Sequence, residues 1–351
     1  MEVIKQLLKD KLSLIALIVL ILIYTALLFA DFIAPYSKDF SDRNLSYAPP
    51  SKIFTIDENN KLSRPYTYNY KREFLPEQMQ VNYSMDRSKK YPVKFFVKGE
   101  PYKFLGIIPC NRHLFGTDGY IFLLGTDING RDVFSRLLFG GRISMTIGFL
   151  ALFVLFPIGL LYGGISGYFG GKTDIIMMRF AEAVMSIPSF YLLIILAAIL
   201  PSNMTSIQRF ILIVVILALI GWAGFARVVR GMVLSIKNQD YVEAAKSIGA
   251  SKLRIIIKHI LPQTTSYIIV AMTLSVPSYI LSESGLSFLG LGIQQPDASW
   301  GNMLKEAQEY FNILYRPWLL TPGFLIFIAV LSFNIVGDTI RDILDPKSKM
   351  R

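Results

Sequence analysis

Asp240 to Pro262 reads DYVEAAKSIGASKLRIIIKHILP, a charged helix-turn-helix pattern set between two long apolar runs. Asp240 is placed to cap a first helix, with Glu243 three residues on completing a capping-box-like start, and Gly249 supplies a left-handed stop. Ser251 is placed to cap a second helix, expected to run to Pro262. Polar structure of this kind inside an apolar chain calls for a partner.

The flanking runs set the class. The 351 residues are 53% hydrophobic, with a mean hydropathy of +0.46, which is more apolar than a soluble core of this size requires. Apolar stretches lie near 12–30, 143–171, 183–208, 210–226, 260–282 and 317–337, each close to or above the roughly 18 residues that span a bilayer. They predict an all-α membrane protein of six transmembrane helices. The second stretch is rich in glycine and is expected to leave the bilayer near Ser166; the fourth is short and is expected to extend through Arg209 or Arg227.

Charge orients these spans. Lys5, Lys9 and Lys11 precede the first one, which places the amino terminus in the cytoplasm by the positive-inside rule. Alternation then puts the loop carrying Arg227, Arg230, Lys237, Lys246, Lys252, Arg254 and Lys258 inside, together with the tail carrying Arg341, Lys347, Lys349 and Arg351. The basic segment from Ala34 to Arg142 falls outside, which is tolerable because long loops translocate largely regardless of charge. The expected division is therefore an anchor over 1–33, an extracytoplasmic segment over 34–142, a five-span core over 143–342 and a cytoplasmic tail over 343–351.

The first apolar run exceeds the roughly 7–15 residues of a signal-peptide core, and no small-x-small site follows at Phe29, Ala30 and Asp31, so it reads as a retained anchor. The net charge of +11 comes from residues that flank spans or sit in the outer segment. With no compact basic helix to read a groove, this favours anionic lipid and acidic protein partners over nucleic acid. Cys110 is the only cysteine, which excludes an internal disulfide and a thiolate metal cluster.

Within the outer segment, residues 51–115 change character to tyrosine-rich alternating stretches and read as a small β-rich insert. Lys94 to Val97 and Tyr102 to Leu105 flank Gly99, Glu100 and Pro101 as a predicted hairpin, and Ile53 to Ile56 before Asn59 and Asn60 can begin another. Its excess of basic residues allows contact with an acidic partner or lipid headgroups, and a merely solvated surface is preferred.

Four stretches carry a family resemblance. Glu243, Ala244 and Ala245, then Gly249, then Ile260, Leu261 and Pro262 resemble the cytoplasmic EAA loop of ABC importer permeases. LGTDINGRDVFSRLLFGGRIS, from Leu124, resembles the pre-span motif of the dipeptide and oligopeptide branch of that family. GYFGG followed by Thr173, Asp174, Met178, Arg179 and Pro188 is similar to its connection between spans two and three, with Glu182 where relatives commonly carry Asp. Glu283 to Gly292, followed by Gln294, Pro296, Ser299, Trp300, Gly301 and Asn302, resembles a further family segment.

The resemblance covers about residues 1–50 and 112–351 and leaves the insert unmatched. It implies the type I ABC importer permease fold and a non-catalytic subunit for ATP-driven peptide import across the prokaryotic inner membrane. It also implies a second, paralogous permease, two cytoplasmic ATPase subunits that use ATP and Mg, and an extracytoplasmic substrate-binding protein. This chain then binds no cofactor of its own, and Asp240, Glu243, Ala244, Ala245, Gly249 and Pro262 couple it to the ATPases, with both alanines keeping one face small enough to enter a cleft.

The residues themselves bound this reading. Ser166 to Thr173 is a near miss to G-x-x-x-x-G-K-[ST], with Ser166 in place of the first glycine and an apolar span instead of a strand before it, which argues against ATP binding here. His113 and His259 fall on opposite sides of the membrane, so neither a dyad nor a metal pair is expected. The outer-loop structural motif comprises Gly125, Thr126, Asp127, Gly130, Arg131 and Asp132: Asp127, Asn129 and Gly130 favour tight turns, and Arg131 with Asp132 can tie the loop at the membrane surface, with anchoring preferred over substrate contact.

Asp174 is a candidate partner for Arg179, and Trp300 and Trp318 suit an outer interface belt. Gly285, Gly290 and Gly292 suit close helix approach. Glu283, with Ser282 and Ser287, is the candidate substrate pathway, because a carboxylate at the end of an apolar run needs water, a cavity or a partner. A carboxylate bonded to neighbours such as Ser282 is the equal alternative. Nickel permeases share these motifs and remain the alternative substrate class, while an ion-coupled secondary transporter is disfavoured by the scarcity of ionisable residues within the spans.

Overall fold

The computed structural model of the chain describes residues 6–57, 60–75, 80–104, 106–201 and 204–344. Lys5, Asn59, Leu105 and the tail residues Lys347, Lys349 and Arg351 lie outside the described residues.

Five of the described helical stretches are long and apolar enough to cross a membrane: α1 (Lys11–Leu28), α3 (Val133–Phe169), α6 (Ser206–Ile236), α8 (Lys252–Phe288) and Pro317–Leu344, which contains α11 (Thr321–Leu344). The short helix α2 (Ala30–Ile33) follows α1. A bent pair, α4 (Gly171–Met185) and α5 (Ser189–Ala198), brings the number to six if it forms one span.

The stretch expected as one span over 183–208 is interrupted, with a 74° bend between α4 and α5. Pro188 sits at the break and cannot donate to a continuous ladder, and its ring disfavours helix at Ile187. The fourth stretch extends past both Arg209 and Arg227 within α6, which opens on a capping box between Thr205 and Gln208. α3 passes Ser166 without a break.

Pro262 does not end a helix. α8 starts as α-helix at Lys252–Ile255, passes through a π turn at Ile256–Ile260 and a 3-10 turn at Leu261–Thr264, and regains α geometry over Thr265–Phe288. The proline occupies the first turn of the 3-10 segment, where no N–H donor is needed.

The chain divides into two compact units. The first comprises the described parts of Met1–Leu20, Met145–Leu286 and Phe327–Arg351. Its organising contact is a glycine seam on α3. A Cβ at Gly159 would meet Phe225 Cδ1 at 2.5 Å, one at Gly163 would meet the Ala226 carbonyl at 2.4 Å, and one at Gly167 would meet the Arg230 carbonyl at 2.8 Å. Four-residue spacing puts these glycines on one face, so α6 can approach α3 closely and gain dispersion contacts where lipid offers no hydrophobic drive. The unit's outward face carries exposed Phe153, Ile176, Ile199 and Ile207, as a bilayer solvent requires.

Close helix approach was expected instead at Gly285, Gly290 and Gly292. Gly285 has no neighbour nearer than 4.0 Å, Gly290 turns the chain with φ +79°, and Gly292 folds back on Ser287.

The second unit comprises Ile21–Ser144 and Ser287–Ile326. β1 (Phe54–Ile56), β2 (Leu62–Leu75) and β3 (Gln80–Pro92) form an antiparallel sheet, and β4 (Lys94–Phe104) pairs antiparallel with β5 (Ile108–Gly116). The hairpin expected within 94–105 is therefore a single strand. Gly99–Pro101 forms an irregularity in its register, where a Cβ on Gly99 would meet the His113 ring at 2.4 Å. His113 itself is buried and bonded to the Ala34 and Glu100 carbonyls.

Trp300 is fully buried instead of lying in an interface belt. Its indole N–H donates to the Leu137 carbonyl at 2.9 Å, at the head of the short helix α9 (Trp300–Leu304). Trp318 is half-buried and donates to the Thr126 carbonyl. The helix α10 (Tyr310–Tyr315) also belongs to this unit.

Candidate functional site

The polar insertion forms α7 (Asp240–Ser247) and the turn that follows it. Gln239 occupies the N-cap position with no side-chain bond, and Asp240 is the first helical residue, so the expected Asp240–Glu243 capping box does not form. Asp240 and Glu243 still favour the first turn through the helix dipole, and Lys246 favours the last. Glu243 instead pairs with Lys246 at 2.7 Å, an exposed contact that contributes little.

The stop is well defined. Gly249 has φ +80°, its N–H donates to the Lys246 carbonyl, and the Ala250 N–H donates to the Ala245 carbonyl. These two bonds satisfy the last carbonyls in a Schellman arrangement, which needs a residue at ease in the left-handed region. Ser251 precedes α8 without a side-chain cap bond.

The faces of α7 separate the two alanines. Val242 and Ala245 are buried against this chain, at 0% and 3% exposure, while Glu243 and Ala244 face outward and Ile248 is 84% exposed. The expectation that Ala244 and Ala245 share one small outward face therefore fails, because neighbours in a helix lie about 100° apart. Only Ala244 stands on the open side, beside Tyr241 and Ile248.

The inner side is keyed to the end of α3. Lys237 Nζ donates to the Gly167 carbonyl at 3.0 Å, and the Lys246 and Lys252 ammonium groups sit 5.9 Å and 5.2 Å from the ring centres of Tyr168 and Phe169. Ile255, Ile256 and Ile260 are buried, and a Cβ at Gly164 would meet Ile256 Cγ2 at 3.1 Å.

Asp174 fastens the same region. Both of its oxygens accept from Arg230, at 2.9 Å for Nε, and the Ser166 hydroxyl donates to Oδ1 at 2.6 Å. Asp174 thus joins α3, α4 and α6, and Arg179 pairs with Glu182 in place of the expected Asp174. The near-miss phosphate motif accordingly lies on the end of α3 and the start of α4. Sequence reading missed this tie and the glycine seam. The only signal for the seam was the four-residue spacing of Gly159, Gly163 and Gly167.

The candidate pathway residues Ser282 and Glu283 meet different surroundings. Ser282 lines a cavity of about 280 Å³ with Ser189, Ser275, Ser278 and Tyr279, and its hydroxyl donates back to the Ser278 carbonyl. Glu283 is fully buried, with the Ser284 hydroxyl 3.5 Å from its carboxylate, so the expected Ser282 bond is not formed. Ser287 is also buried and accepts from the Ile293 N–H.

In the motif at 125–132 every expected residue takes a structural bond. Asp127 accepts from the Asn129 and Arg131 N–H groups and from Arg131 Nε at 2.6 Å, and Thr126 donates to the Leu45 carbonyl and accepts from the Ala48 N–H. Asp132 accepts from the Ser135 N–H and hydroxyl at the head of α3, so it does not partner Arg131. Gly125 and Gly130 have φ +68° and +69°, and a Cβ on Gly130 would collide with the Asp42 carbonyl. Arg131 and Arg136 both donate to Gln295, which ties this loop to the segment after α8.

Burial pushes the Asp132 carboxyl up to about 7. Burial, with the neighbouring Asp127 charge, also raises Glu306, which accepts from the Ile128 N–H.

Fold and site together define a multi-pass helical membrane protein with a rigidly mounted polar helix outside its spans. Residues 156–350 match the family of binding-protein-dependent transport system inner membrane components, and residues 1–50 match the N-terminal transmembrane domain of oligopeptide transport permease C. The oligopeptide transport system permease protein OppC of Haemophilus influenzae is 44% identical over 233 residues, covering 66% of this chain and 72% of its own length. The dipeptide transport system permease protein DppC of Bacillus subtilis is 47% identical over 225 residues, covering 64% and 68%. OppC of Bacillus subtilis is 42% identical over 240 residues, covering 68% and 73%. The chain belongs to the peptide branch of the ABC importer permeases, as a multi-pass inner-membrane component of a binding-protein-dependent system.

Proposed function

We propose that this chain is one permease subunit of an ATP-driven importer that moves short peptides across the cytoplasmic membrane. The peptide class is supported by the transport named for relatives at 42–47% identity. A second, paralogous permease completes the pathway, an extracytoplasmic binding protein delivers the substrate, and two cytoplasmic ATPase subunits use ATP and Mg. The chain itself catalyses nothing and holds no cofactor. Both termini lie in the cytoplasm, and residues 34–142 face outward.

One observation carries the coupling role: α7 buries Val242 and Ala245 on its own chain while presenting Tyr241, Ala244 and Ile248 outward. That outward face enters a cleft on an ATPase subunit. Lys237, at the end of α6 just before α7, donates to the Gly167 carbonyl of α3, and Arg230 of α6 holds Asp174 of α4, so displacement of α7 moves α3, α4 and α6 as one body.

The test is A244W beside A245W, each co-purified with the ATPase subunits. A244W keeps the chain's thermal stability and loses the ATPases, whereas A245W destabilises the chain itself by overfilling a buried position, by about 1–3 kcal/mol. Retention of the ATPases and of full substrate-coupled hydrolysis in A244W defeats this coupling role.

A further inference from the structure

The second unit contains a cavity of about 630 Å³ walled by three segments distant in sequence: 46–49 before the insert, residues 72 and 81–83 of the insert, and 311–318 after α9. Arg316 lines it. The guanidinium carbon lies 3.6 Å from the centre of the Tyr47 ring and 5.1 Å from that of Phe311, and Nη1 donates to Asn312 Oδ1. Stacking between rings fixes the guanidinium plane before any ligand arrives and weakens its hydration.

Tyr47 has φ 58°, a left-handed conformation that is costly for a bulky side chain. The Tyr47 N–H donates to the Asp127 carbonyl at 2.9 Å, so the motif at 125–132 holds the strained residue beneath Arg316. Strain maintained in this way marks a residue whose placement matters more than its backbone comfort. Arg72, from β2, supplies a second guanidinium to the wall. Among the described residues, no carboxylate lies within ion-pair distance of Arg72 or Arg316.

The lining states what fits. Two guanidiniums select a planar or tetrahedral oxyanion. Tyr83, Phe311 and Tyr315 require an apolar body attached to it, which a free inorganic ion lacks. The volume lies within the roughly 300–1,000 Å³ of organic ligand sites, and Ser46 and Asn82 offer neutral hydrogen-bonding groups suited to amides.

We infer that this cavity binds the carboxylate end of a short peptide, with Arg316 and Arg72 as its anion-binding pair. The insert therefore has a defined part: it contributes Arg72 and Tyr83 and closes a site that the rest of the unit forms only in part. The choice of a peptide rests on the importer reading, whereas the carboxylate chemistry rests on the arginines alone.

The experiment uses the full chain in nanodiscs and ligand-observed NMR with three probes: alanyl-phenylalanine, its carboxamide, and N-acetyl-phenylalanine. The free dipeptide binds, and the carboxamide binds at least about 10-fold more weakly, the scale of a lost charge-assisted bond. R72Q, an exposed position whose change leaves the fold intact, and R316Q each weaken the dipeptide about 10-fold, and R316K does not restore it because an ammonium cannot stack and fork as a guanidinium does. Equal binding of acid and amide, undiminished binding in R72Q and R316Q, or no binding of any probe overturns the site. Binding of N-acetyl-phenylalanine without the dipeptide refutes the peptide assignment and leaves the carboxylate site standing. If instead only the extracytoplasmic binding protein loses affinity in R72Q and R316Q, the cavity is a protein contact and the proposal fails.

Discussion

Replacing Gly163 with alanine tests whether α3 and α6 are held together by the absence of a side chain. A Cβ at Gly163 falls 2.4 Å from the Ala226 carbonyl oxygen and 2.9 Å from Val229 Cβ, where ordinary contact begins at 3.4 Å. The first neighbour is backbone and cannot rotate away, so the helices must part by about 1 Å, the scale at which overpacking costs about 1–3 kcal/mol. Parting them also weakens the approaches at Gly159 and Gly167, because dispersion falls steeply with distance. The control is Gly231 on α6, whose Cβ would meet nothing within 4 Å, so alanine there gains helix propensity at no steric cost. Thermal unfolding of both variants in the same detergent separates them. G163A lowers the Tm by roughly 2–12 °C, taking about 2–4 °C per kcal/mol for a domain of this size, while G231A leaves it unchanged or slightly higher. If G163A melts with or above G231A, the seam does not hold the unit together.

Three further outcomes follow from the same contacts. D174N removes the charge that Arg230 and Ser166 share and lowers the melting temperature by the equivalent of about 1–3 kcal/mol, with partial recovery in the D174N/R230Q pair; no loss on D174N sinks the proposed tie. Asp132 and Glu306 are carboxyls raised by burial above their unfolded values, so the stability they contribute is fully present below about pH 4 and is lost as pH rises toward about 7. The thermal stability of the wild type therefore falls across that window, and E306Q, which keeps an acceptor for the Ile128 N–H, flattens the fall; an unchanged slope in E306Q refutes it. G249V loses stability by about 1–2 kcal/mol through strain at φ +80°, although a Cβ there meets no neighbour, so a variant as stable as the wild type contradicts the left-handed stop.

Several elements were legible because their signals are local. Gly249 announced a left-handed stop by its type and position, the apolar runs announced spans by their length, and the turn at Gly130 was implied by Asp127 and Asn129 beside it. Other signals failed where distant chain decided the outcome. The Gly99–Pro101 turn signal yielded to β5, whose pairing carries β4 straight through the irregularity as one strand. Asp174 took Arg230, fifty-six residues away, over Arg179, five residues away, because α6 delivers two guanidinium nitrogens to it.

The sequence by itself determined a multi-pass helical membrane protein with one conspicuous polar helix-turn-helix, since hydropathy, charge asymmetry and glycine conformation act over a few turns of chain. Tertiary structure alone decided which face of that helix is free. Ala244 and Ala245 are adjacent and chemically identical, and what separates them is the roughly 100° of helix rotation that puts one on the buried side with Val242 and leaves the other outside. The same holds for the cavity in the second unit, whose two arginines stand 244 positions apart in the chain and share a wall only because the insert and the segment after α9 fold into one unit.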